Sequence, residues 1–106
     1  MIQYLNEESF DESIKLNNVV LVDFYADWCG PCKALHAILE QTFEKIGNKA
    51  VIAKVNVDTN PNLASRYGVR SIPALFYLKN GEVVYNSTGL VQSKEIVQKL
   101  EDLVLL

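Results

Sequence analysis

Asp27-Trp28-Cys29-Gly30-Pro31-Cys32-Lys33 is the stretch around which the rest of the chain arranges itself. It carries both cysteines of a 106-residue chain, with two residues between them. The apolar run Val19-Val20-Leu21-Val22-Asp23-Phe24-Tyr25-Ala26 leads into it, and a segment with helical spacing, Ala34 to Ile46, leads out. Strand, Cys-x-x-Cys, helix is a layout suited to reversible dithiol chemistry. A disulfide needs Cα atoms about 4.4–6.8 Å apart, and residues three apart on one helical turn lie on the same face. The bond therefore opens and closes with little backbone movement. Pro31 fits the first turn, because its missing N–H has no intrahelical partner there. Gly30 leaves room for another chain to approach. The unpaired amides and dipole of a helix start favour an anion, and the thiolate is the nucleophile of exchange. Cys29, at the very start, is expected to be the exposed attacking sulfur. Cys32, one turn in, is expected to be more buried and to act second.

Other readings fit two cysteines so placed. They are a pair of unreactive thiols, a purely structural disulfide and a zinc site. So short a loop stabilises little through chain entropy. Zinc needs about four ligands, and with two cysteines and one histidine it would draw on carboxylates or a second chain.

The longer segment Val22-Asp23-Phe24-Tyr25-Ala26-Asp27-Trp28-Cys29-Gly30-Pro31-Cys32-Lys33 resembles the active-site segment of the thioredoxin family. A bare Cys-x-x-Cys is common, whereas W-C-G-P-C-K after an acidic strand is specific. Further matches run in the family's order from about Phe10 to Leu100, nearly the whole chain. The resemblance implies the thioredoxin fold and a protein-disulfide reductase that works through Cys29 and Cys32.

Bulk properties agree with one globular domain, residues 1–106. That length buries a core without staples, and 49% apolar with 22% charged residues is ordinary globular composition. The net charge is −3 and no basic cluster exists, so nucleic acid is not an expected partner. No apolar run reaches membrane-spanning length. Met1-Ile2-Gln3-Tyr4-Leu5-Asn6-Glu7-Glu8 has neither a basic region nor a long apolar stretch, so no signal peptide is expected and the cytoplasm is the default location.

Taken in order, Ile2 to Leu5 reads as a short strand and Asn6 as the cap of a helix to about Lys15, striped by Phe10 and Ile14, with Leu16 as a candidate extension. Val19 to Tyr25 is apolar on both faces, as a central covered strand is. Asp23 interrupts it. A charge there is costly, so the carboxyl either reaches water at a strand end or titrates high. The resemblance favours the buried reading, with Asp23 as general base for Cys32. The helix from about Cys29 to Ile46 is expected to bury Leu35, Ile38, Leu39, Phe43 and Ile46. His36, four residues after Cys32, lies with the charged stripe of Lys33, Glu40 and Glu44. It reads as a surface histidine beside Glu40, although it is placed to influence the dithiol. Ala37 stands where the family often has a helix-kinking proline.

Gly47-Asn48 ends that helix. Ala50 to Asp58 is the next strand, and Asn60 with Pro61 opens a short helix that stops at Gly68. Lys54 interrupts its strand as Asp23 does. It is either an edge-facing lysine or, by the resemblance, the lysine beside the buried acid, and it is assigned to the catalytic group on that ground. The resemblance also implies a cis Ile72–Pro73 bond facing the Cys-x-x-Cys, where sequence alone favours trans. A substrate strand could pair there with the free carbonyl and N–H of Ile72. Ala74 occupies a position where threonine is common. Ala74 to Lys79 and Glu82 to Ser87 form a hairpin around Asn80-Gly81. Ser93 is expected to cap a last helix to about Leu103, with Ile96, Val97, Leu100 and Leu103 inward. Val104-Leu105-Leu106 either finishes the packing or frays.

The order βαβαβαββα predicts an α/β fold with a central mixed sheet of five strands and helices on both faces. By the resemblance, Trp28, Gly30, Pro31, Ile72, Pro73, Gly89 and Leu90 form an apolar substrate-docking surface. The implied partners are disulfide-containing proteins and a flavin-dependent thioredoxin reductase. The chain has no nucleotide fingerprint and needs no cofactor or metal of its own. The expected role is redox homeostasis and electron transport by a monomer. The rivals are an oxidant or isomerase on the same fold and a non-catalytic binding module. Oxidants and isomerases typically carry a histidine between the cysteines, and Gly30-Pro31 favours a reductant.

Overall fold

The computed structural model describes all residues, 1–106. The elements run β1 (Gln3–Tyr4), α1 (Phe10–Leu16), β2 (Val19–Tyr25), α2 (Gly30–Ile46), a single 3-10 turn (Gly47–Lys49), β3 (Val51–Asn56), α3 (Pro61–Arg66), β4 (Ala74–Lys79), β5 (Glu82–Thr88) and α4 (Ser93–Val104). The five strands form one sheet in the order β1-β3-β2-β4-β5. β1, β3 and β2 pair in parallel, while β4 pairs antiparallel with both β2 and β5. The predicted mixed sheet is therefore present. β2 is its middle strand, as its two-faced apolar sequence requires.

Alternation along β2 separates two cores. Val20, Val22 and Phe24 face α1 and α3 and pack with Phe10, Ile14 and Leu63. Val19 and Leu21 face the other side and pack with Leu35 and Leu39 of α2 and Ile96 and Leu100 of α4. Leu39 is fully buried there. Leu39→Ala is expected to cost about 3–4 kcal/mol in urea unfolding. A loss under about 1 kcal/mol would mean that α2 settles into the space. The same alternation puts Asp23 on the α2 side of the sheet.

Several local expectations are corrected. The first strand is only Gln3–Tyr4. Asn6 does not cap α1. Its Oδ1 accepts from the amides of Glu8 and Ser9, which closes a preceding turn, and α1 starts at Phe10. Leu16 is exposed, so the α1 stripe ends at Ile14. Ile38 and Phe43 of α2 are only half-buried. The third strand stops at Asn56. Asn60 caps α3 by position but not by side chain. Its Oδ1 accepts from Glu7 N–H, and the Glu7 carboxylate accepts from the Asn62 amide at the α3 start. Ser93 is the first residue of α4 and Gln92 the cap; the Ser93 hydroxyl instead shares a hydrogen bond with Thr42 Oγ1 of α2, 3.0 Å away. In each case another partner outcompetes the local cap. α2 runs unbroken through Ala37. The β4–β5 hairpin turns on Asn80 (φ 53°) and Gly81 (φ 83°), the left-handed pair that a two-residue turn demands. The Lys79 ammonium donates to the carbonyls of Leu103 and Leu106, while the Leu105 and Leu106 side chains stay exposed.

Candidate active site

β2 delivers the chain to the start of α2, and Cys29 is the α2 cap residue in extended backbone (φ −89°, ψ 111°). That conformation turns its sulfur back over the helix start, where Sγ accepts from the Cys32 amide at 3.2 Å. Such an amide stabilises a thiolate at the same place. Cys29 and Cys32 are joined as a disulfide, with Cα atoms 5.2 Å apart. The expectation of an exposed Cys29 is corrected: Cys29 is 5% exposed and Cys32 2%. The Ile72 side chain packs against the pair, and its carbonyl oxygen lies 4.0 Å from Cys29 Sγ. The two sulfurs differ by surroundings instead. Cys29 faces the Ile72 backbone, and Cys32 lines a cleft with Tyr25, His36 and Lys54.

The Ile72–Pro73 bond is cis and Pro73 is buried. The N–H and C=O of Ile72 make no intramolecular backbone hydrogen bond. The Gly89 amide donates to the Pro73 carbonyl at 2.8 Å, and Gly89 holds φ 84°, so the Gly89-Leu90 loop is tied beside this edge. Gly30 and Pro31 are exposed. Trp28 is 72% exposed and Leu90 56%, so neither belongs to the core. Trp28 Nε1–H donates to Asp58 Oδ2 at 2.9 Å. Asp58 is a site neighbour that the sequence reading missed. Its only local signal is the turn in which its amide donates to Asn56 Oδ1.

Beneath the helix, Asp23 and Lys54 are register partners on β2 and β3. Asp23 is fully buried, and neither carboxylate oxygen has a hydrogen-bond partner. Burial pushes its carboxyl up to about 7, against the pull of the Lys54 charge. Lys54 Nζ stands 3.8 Å from Asp23 Oδ2. Burial holds the Lys54 ammonium below the usual lysine range, opposed by Asp23. The ammonium also lies 4.3 Å from the Tyr25 ring centroid and 2.9 Å from His36 Nδ1. The His36–Glu40 proximity expected from helix spacing is present at 3.8 Å, whereas the contact with Lys54 has no counterpart in the sequence reading. Sequence spacing shows only that His36 follows Cys32 by one turn.

The profile of the thioredoxin family matches residues 1–102. The chain belongs to the thioredoxin family. It is 44% identical over 91 residues to the thioredoxin of Chlorobaculum thiosulfatiphilum, covering 86% of this chain and 84% of that one. It is 50% identical over 82 residues to the thioredoxin of Bacillus subtilis, covering 77% and 78%. A mutant thioredoxin from Halobacterium salinarum superposes with a TM-score of 0.91 at 39% identity, covering 99% of this chain and 92% of that one. The thioredoxin fold is thus established, and with the Cys29–Cys32 pair it makes the protein a dithiol thiol–disulfide oxidoreductase. Disulfide-containing substrates and a reductase partner go with this thioredoxin membership. No helix is long and apolar enough to cross a membrane.

Proposed function

We propose that this chain is a general protein-disulfide reductase: one domain, monomeric and cytoplasmic, recharged by a flavin-dependent reductase and serving electron transport in redox homeostasis. The observation that carries the reading is the Cys32 amide on Cys29 Sγ at the edge where Ile72 keeps its backbone groups free. In the reduced protein that amide favours the Cys29 thiolate. A substrate segment adds to the Ile72 edge as an extra strand. Its apolar contacts are Trp28, Gly30, Pro31, Pro73, Gly89 and Leu90. Cys29 Sγ attacks one substrate sulfur, and the other leaves as a thiolate that takes up a proton. The Cys32 thiol then gives its proton to Asp23 through water. The Cys32 thiolate attacks Cys29 Sγ, the substrate leaves as a dithiol, and two electrons have passed to it from the Cys29–Cys32 pair. Asp23 suits this role because burial places its proton affinity near neutrality, where a base is most useful. Lys54 moderates that affinity through its charge.

Equilibration of the Cys29/Cys32 pair with glutathione tests the direction of electron flow. A reductant requires a potential near about −270 mV, whereas about −180 mV is typical of a disulfide isomerase. We expect the former; the latter result would replace reductase by oxidant or isomerase.

A further inference from the structure

We propose that His36 is a positioning residue that holds the Lys54 ammonium back from Asp23 and so keeps that carboxylate free to act as the base for Cys32. The inference rests on the base role given to Asp23 above. Its observation is a competition for one ammonium group. Lys54 Nζ is 2.9 Å from His36 Nδ1, a full hydrogen bond, but 3.8 Å from Asp23 Oδ2, beyond hydrogen-bond range. Both Asp23 oxygens are consequently without partners although a lysine is their register neighbour. Nothing else polar binds Lys54 Nζ, whose remaining neighbours are the rings of Tyr25 and Tyr4.

The chemistry sets the ring's state. Lys54 is a donor only, so Nδ1 must be the bare acceptor and Nε2 must carry the ring proton. Nε2 points toward Glu40 at 3.8 Å, which suits a proton there. A protonated His36 has no lone pair and cannot hold Lys54. Its loss frees the ammonium to close on Asp23 and pull the carboxyl acidity back toward that of an exposed acid. The other ionisable groups near this cluster are Tyr4 from β1, Tyr25 from β2 and Asp27 from the loop before α2. Lys33, Glu40 and Glu44 of α2 complete them, with Met1 lining a cleft that His36 also lines. All of these but Glu40, which faces His36 Nε2, keep their surroundings in every variant of position 36. A comparison of His36→Ala with His36→Gln therefore isolates the acceptor, since the Gln Oε1 accepts from Lys54 and does not titrate.

The test is a carbon-NMR titration of the Asp23 carboxyl in the oxidised full chain, where no thiol interferes. The His36 side chain is 32% exposed, so neither substitution opens the core. We expect His36→Ala to lower the Asp23 midpoint by about one pH unit and His36→Gln to stay with the wild type. The acid limb of the pH–rate profile for reduction of a disulfide-bonded test protein is expected to move with the midpoint. An unchanged or raised midpoint in His36→Ala, or an equal fall in both variants, overturns the proposal. Nitrogen shifts of the wild-type ring decide independently of any variant: a proton on Nδ1 rather than Nε2 also overturns it. Asp23→Asn separates this proposal from the reading beneath it. A pH–rate profile unmoved by Asp23→Asn removes the base role, while the carboxyl midpoint still reports whether His36 holds Lys54.

Discussion

Cys29→Ser is expected to lower disulfide reduction by at least about four orders of magnitude, whereas Cys32→Ser leaves the first attack intact and stops the protein as a covalent adduct. The asymmetry follows from the helix start. Cys29 Sγ already receives the Cys32 amide, and it faces the Ile72 backbone on which a substrate strand would lie. A serine there has the same amide but stays protonated, so no nucleophile forms. Cys32 lies on the other side, lining the cleft with Lys54 and His36. A serine at 32 leaves the Cys29 thiolate able to open a substrate disulfide, but no second sulfur can release the product. Intact mass spectrometry against a disulfide-bonded test protein reads the difference. Cys32→Ser accumulates an adduct of one protein plus one substrate, cleared by a small dithiol, and Cys29→Ser accumulates none. Adducts of equal yield on the two variants would remove the asymmetry, and an adduct on Cys29→Ser alone would reverse the order of attack.

Asp23→Asn is expected to make the oxidised protein more stable by about 2–4 kcal/mol at pH 8 while slowing disulfide reduction about tenfold to a hundredfold at neutral pH. Burial lifts the Asp23 carboxyl from its ordinary 3.8 to about 7, against the Lys54 charge. The folded state therefore keeps this proton to higher pH than the unfolded chain. The sign follows: the contribution of Asp23 to stability is greatest below 3.8, falls as pH rises toward about 7, and stays low above that. Moving the midpoint that far corresponds to about 4 kcal/mol. The Lys54 attraction is already contained in that rise, and the cost of burying an asparagine amide where the Asp23 oxygens have no partner takes part of the gain away. Asparagine keeps the shape of the side chain, so packing in the α2-facing core is little disturbed. Urea unfolding at a series of pH values checks this. The gain should vanish below pH 3.8, where both states of the wild type are protonated. A gain independent of pH would place its origin in packing rather than in the buried charge.

The fold was legible because its signals are local and mutually consistent. Val19 to Tyr25 lacks a polar face, so it belongs in the middle of a covered sheet. Asn80-Gly81 supplies the left-handed turn that sets the β4–β5 register. Pro31 and the two cysteines mark the start of α2. The specific pattern W-C-G-P-C-K brought the chemistry with it. Helix capping was read less well, because capping side chains respond to whatever donor lies nearest in space. Asn60 turned to Glu7 N–H and the Ser93 hydroxyl to Thr42, contacts that cross more than fifty residues of chain.

By itself the sequence determined the order of elements, the dithiol at the head of α2 and the positions of one acid and one lysine along two strands, whose burial side by side followed only from the resemblance to the family. Pattern and spacing are enough for the order and the positions, since strand alternation and helix periodicity are properties of consecutive residues. Only the tertiary structure decided what those groups do to one another. It buried Cys29 against Ile72, which no count along the chain could foresee. It joined Trp28 to Asp58 across thirty residues. It also set Lys54 nearer to His36 than to Asp23. A difference of under about one ångström separates a hydrogen bond from a bare electrostatic contact, and the burial that lifts the Asp23 carboxyl to about 7 is likewise a product of packing. Distances of that size come from the packing of α2 on the sheet, not from any run of residues.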